Sequence, residues 1–64
     1  MTTAELISLY RTTRTTLLTC RRHRVQPADS FRDTVQEIGE MLEREIGTEE
    51  FETLMKEIDH DFTR

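Results

Sequence analysis

The strongest constraint on this chain is a run of apolar residues at helical spacing: Phe31, Val35, Ile38, Leu42 and Ile46. Steps of four and three place all five on one side of an α-helix, whereas the period-two alternation of a strand is nowhere present. Two further stripes flank it. Leu6, Tyr10, Thr13, Leu17 and Cys20 form the first, broadened by Ile7 and Leu18, and Phe51, Leu54, Met55, Ile58 and Phe62 form the third. The expected fold is therefore all-α, either a small three-helix bundle or a helical hairpin completed by dimerisation. The helices are placed at about residues 3–22, 28–46 and 49–62 of a single helical domain, 1–64.

Punctuation between the stripes agrees with this division. Thr2 and Glu5 have the spacing of a capping box, in which each side chain satisfies a backbone donor of the first turn. Thr12, Thr13, Thr15 and Thr16 weaken the first helix through lost rotamer freedom, so tertiary packing must sustain it. Between His23 and Ser30 lies the one loop of length, with Pro27 as a candidate first helical residue and Asp29 or Ser30 as candidate caps. Gly47 reads as a left-handed helix end, and Thr48 as the cap of the third helix. Gly39 interrupts the middle stripe at about 1 kcal/mol relative to Ala, which implies a close neighbour.

A chain of 64 residues with 34% hydrophobic residues and no Trp encloses a thin core. Chains of this size draw support from disulfides, metals or another subunit. One cysteine forms no internal disulfide, so a homodimer is expected. In such a dimer Leu6, Tyr10, Leu17, Phe31, Val35, Ile38, Leu42, Ile46, Phe51, Leu54, Ile58 and Phe62 supply the core and dimer packing. A lone cysteine suits a reducing compartment. No stretch has the form of a signal peptide or approaches the roughly 20 apolar residues of a membrane span. The expected location is cytoplasmic, away from membranes.

The net charge of −4 conceals a polarised chain. Residues 1–27 hold Arg11, Arg14, Arg21, Arg22 and Arg24 against Glu5, a net of +4. Residues 28–64 hold four basic residues against twelve acids, a net of −8. Each surface prefers a partner of opposite sign, within the chain or outside it.

Sites with chemistry are scarce. The turn around Gly47 has the outline of a helix-turn-helix, but Glu49, Glu50, Glu52, Glu57, Asp59 and Asp61 on the second helix would repel phosphates. Glu57 and His60 match half of a di-iron ligand set, and Cys20 and His23 lie one turn apart, yet neither pair reaches a ligand quorum. A catalytic thiol would also need a base and an oxyanion site, and no Gly-rich turn offers one. No enzyme activity, metal or cofactor is expected. Arg21-Arg22-His23-Arg24 is the best anion-binding segment.

Leu6-Ile7-Ser8-Leu9-Tyr10-Arg11 resembles the opening of LYR-motif proteins, small three-helix mitochondrial adaptors. The resemblance implies binding to acyl carrier protein, with Tyr10 and Arg11 as motif positions and Arg14, Arg21 and Arg22 against the acidic carrier. The Thr-rich run after Arg11 and the acidic later helices depart from that family's pattern. The leading expectation is a small non-enzymatic regulator or adaptor that binds a protein partner through helical faces, with Arg11, Arg14, Arg21, Arg22 and Arg24 as contacts. The alternative is a nucleic-acid-binding regulator that uses Arg21 to Arg24.

Overall fold

In the computed structural model, which describes residues 1–63, three helices follow one another: α1 (Thr3–Arg22), α2 (Asp29–Ile46) and α3 (Thr48–Thr63). The fold is all-helical, and each helix packs against both others within one chain. Among the described residues, no helix is long and apolar enough to cross a membrane.

The capping box of α1 forms as its spacing requires. Glu5 N–H donates to Thr2 Oγ1 at 3.1 Å, and Thr2 N–H donates to Glu5 Oε1 at 3.2 Å. The threonine-rich middle of α1 remains helical. Thr13, Thr16 and Thr19 turn their hydroxyls back onto the carbonyls of Leu9, Thr12 and Thr15 at 2.9, 3.0 and 2.9 Å. These bonds satisfy the hydroxyls within the helix at a slight cost to its stability, so packing against the other helices must hold α1 together.

Leu6, Tyr10, Val35, Ile38, Leu42, Leu54 and Ile58 form the buried cluster, with Leu42 fully enclosed. Leu17, Phe31, Ile46 and Phe51 are half-buried against it. Cys20, expected to continue the core, is half-buried and lies outside the cluster. It sits near the end of α1, before the long turn. Phe62 is likewise half-buried, with its ring beneath the Arg22 guanidinium. The neighbour that Gly39 admits is a pair of aromatic rings. A Cβ on Gly39 would lie 3.1 Å from the Tyr10 ring and 3.3 Å from that of Phe51.

The two turns differ from the sequence expectation in instructive ways. Gly47 has φ 91° and ψ 157°, a mirror-β conformation in place of the expected left-handed helical one. Its N–H donates to Glu43 O at 2.8 Å, and its carbonyl accepts from Phe51 N–H at 3.0 Å. One residue closes α2 and opens α3, so Thr48 becomes the first helical residue, leaving no separate position for a cap. At the start of α2, Ala28 occupies the N-cap position in an extended conformation, with no side-chain cap. Pro27, Asp29 and Ser30 therefore do not have the roles assigned to them. The extended backbone persists one residue beyond Pro27, and both candidate caps fall inside the helix.

Candidate binding surface

Helix α1 turns Arg11, Arg14 and Arg22 toward residues of α3. Arg14 Nη2 approaches Asp59 Oδ1 at 3.5 Å, and Arg11 Nη1 approaches Asp61 Oδ2 at 3.9 Å. Farther along, the Arg22 guanidinium stacks 4.5 Å above the centroid of the Phe62 ring, within cation–π range. The Arg14 side chain is only 17% exposed. Arg14 Nε and Asp59 Oδ1 are sealed from solvent and make no hydrogen bond. Attraction between these two groups thus rests on proximity of charge, without the aligned bonds of a forked guanidinium–carboxylate pair.

Tyr10 lies beside this pair, 3% exposed, with its ring 5.3 Å from that of Phe51. Burial pushes its phenol above the ordinary value of 10.0; the Arg14 charge opposes the shift, and that of Asp59 adds to it.

The last turn of α1 leads into the α1–α2 corner. There the chain closes with both bonds of a Schellman motif: Val25 N–H donates to Cys20 O at 2.8 Å and Arg24 N–H to Arg21 O at 3.1 Å. The motif places Arg24 at φ 56°, the left-handed position that glycine ordinarily fills. Arg21, Arg24 and Arg32 then line a hollow of about 300 Å³ whose apolar members are Leu17, Val25 and Pro27. Val25 is 57% exposed, so the apolar residue that usually folds back over such a helix end stays open to solvent. Neither Arg21 nor Arg24 has an ion-pair partner among the described residues, and Arg32 approaches Asp29 only at 3.9 Å.

This hollow runs into a longer groove of about 380 Å³, because Leu17, Arg21 and Arg32 line both. Tyr10, Arg14, Val35, Gly39 and Phe51 contribute to the lining of the groove, and its far end carries Glu40 and Glu43. At the opposite end of the molecule, Glu49, Glu50 and Glu57 surround Ile7, Ile46 and Leu54 in an acidic hollow of about 520 Å³. The charge asymmetry of the chain thus survives folding at its two ends and is neutralised along the α1–α3 seam.

Of the arginines singled out from the sequence, Arg11, Arg14 and Arg22 are engaged within the chain, and Arg21 and Arg24 face solvent together. Sequence reasoning assigned Arg32 to the acidic half and missed it. The signal was available, since α1 and α2 run back from the turn between them and bring Arg21 and Arg32 to line one hollow. Tyr10 and Arg11, the positions matching the LYR pattern, are occupied in the core and against Asp61. The side chains of Glu57 and His60 border one shallow hollow on α3. Among the described residues, no three His, Cys, Asp or Glu side chains are grouped as a metal would require. Comparison of the chain with protein families, with curated proteins and with solved structures finds no match to any of them.

Proposed function

We propose that this chain is a small non-enzymatic regulator or adaptor that binds an acidic surface of a protein partner through Arg21, Arg24 and Arg32. The observation that carries this reading is that these three arginines line one hollow with Leu17, Val25 and Pro27, while the remaining arginines of α1 are engaged by residues of α3. Apolar surroundings strengthen charge-assisted bonds to a carboxylate, and an exposed apolar floor offers area to a partner's side chains. Burial moves the Tyr10 phenol away from neutral pH, opposite to what a general base needs. The half-buried, unpaired Cys20 suits action in a reducing compartment such as the cytoplasm. The proposal includes homodimerisation, supported by Leu9 and Met41, which remain exposed on the helix surfaces.

The deciding experiment compares the parent with an Arg21→Glu/Arg24→Glu/Arg32→Glu variant in affinity capture from the native host. Captured proteins should be retained by the parent and lost from the variant, while the melting temperatures agree within a few degrees. Binding that instead follows bulk DNA or RNA, with a steep salt dependence, would replace this reading with the nucleic-acid one. Sedimentation of the parent over a hundredfold concentration range tests self-association in the same preparation.

A further inference from the structure

The groove between α1 and α2 has a direction as well as a charge. Arg21 and Arg32 stand at the end near the corner, Glu40 and Glu43 at the other, and the lining between them includes Val35, Gly39 and Arg14, whose charge is met by Asp59. At 1.5 Å per helical residue, Arg32 lies roughly 12 Å from Glu40 and roughly 16 Å from Glu43 along α2. Glu40 is exposed and receives only a long bond from Gln36 Nε2, at 3.4 Å. Neither glutamate has a cationic partner within 4 Å among the described residues. A uniformly acidic ligand would satisfy one end of this groove and be repelled by the other.

We infer that the groove binds a bipolar peptide segment of the partner, with carboxylates at Arg21 and Arg32 and a lysine or arginine at Glu40 and Glu43. Small apolar side chains lie between them, against the half-buried Leu17 and Met55. This inference rests on the protein-binding reading and adds the charge order and span of the ligand. Opposite charges at both ends fix the direction in which the segment lies, and a segment in the reverse direction meets like charge twice. Such repulsion discriminates more sharply than the attraction binds. Gly39 adds no side chain to the middle of the groove, and a Cβ there would press on the Tyr10 and Phe51 rings by a few tenths of an ångström.

The test is selection from a displayed library of random dodecapeptides on the intact protein. Enriched peptides should carry acidic and basic residues at opposite ends, four residues apart if extended or about eight if helical. Selection on a Glu40→Lys/Glu43→Lys variant should then enrich peptides acidic at both ends, and bipolar peptides chosen on the parent should bind it at least tenfold more weakly. Glu40→Gln/Glu43→Gln serves as the milder pair, and should lose the preference for a basic end without reversing it. Uniformly acidic peptides enriched on the parent, dependent on Arg21 and Arg32, would overturn the bipolar groove and leave the protein-binding reading standing. Enrichment no greater than on the Arg21→Glu/Arg24→Glu/Arg32→Glu variant would remove both.

Discussion

The chain reverses direction twice, and at each corner one residue adopts a positive φ. At the α2–α3 corner that residue is Gly47, and at the α1–α2 corner it is Arg24. The glycine corner matches residue to conformation and needs no further explanation. The arginine corner does not, because an L side chain in the left-handed region costs about 1–2 kcal/mol relative to the ordinary helical one. Folding alone would favour glycine at both, or asparagine at the α1–α2 corner. The difference separates a corner specified by backbone geometry from one whose side chain has another use, and Arg24 lies on the rim of the open basic hollow. An observed strain of this kind is a legitimate starting point for a functional argument.

The sharpest way to break the comparison is Gly47→Ala. A Cβ on Gly47 meets no heavy atom within 4 Å, so any penalty comes from the backbone and not from crowding. With φ 91° and ψ 157°, the residue lies near a region populated almost entirely by glycine, where strain is worth about 1–3 kcal/mol. The expected loss is about 2 kcal/mol, a melting temperature lower by roughly 8–16 °C for a domain of this size. Thermal denaturation followed by circular dichroism measures it. A variant as stable as the parent would mean that the two corners do not differ as described.

How far the molecule was legible in its sequence follows from the range of each interaction. The helices and the capping box depend on neighbours three and four residues apart, which periodicity records directly. The caps at the corners were harder. Ala28 has no polar side chain to announce it, and Thr48 resembles a cap that the one-residue turn leaves no room for. The arginines divided into engaged and open sets only when α3 was placed, because Asp59 and Asp61 are distant in sequence from Arg14 and Arg11. A count of charge per half correctly implied attraction between the halves. It could not say which arginines would be left over, or that Arg32 would join them.

A smaller effect sharpens the contrast from the other side of the long turn. Ala28→Ser should stabilise the protein by about 1 kcal/mol, because a hydroxyl at the N-cap can accept from an otherwise unsatisfied N–H of the first turn of α2. Ser30→Ala, inside the helix, should change stability by no more than about 0.5 kcal/mol. Chemical denaturation curves of the two variants locate the cap. A large loss from Ser30→Ala with no gain from Ala28→Ser would move the start of α2 later and restore the assignment made from sequence.

The smallest expected effect bears most directly on function. Arg24→Gly relieves the left-handed strain but also gives the unfolded chain more freedom, and the two partly offset. The net gain should be about 0.5–1 kcal/mol, read as a melting temperature higher by roughly 2–8 °C. Arg24→Asn should fall between parent and glycine variant, since asparagine tolerates the left-handed region better than most L residues. If Arg24 is retained for its charge, both variants should bind an acidic partner less tightly while being more stable, with the loss shrinking as salt screens the field. Opposite movement of stability and affinity is the signature of a residue kept for contact. A simple folding defect would lower both. Higher stability with unchanged affinity would leave Arg24 as unexplained strain and confine the binding surface to Arg21 and Arg32. Lower stability in both variants would mean that the arginine side chain itself supports the corner, and the contrast with Gly47 would fall.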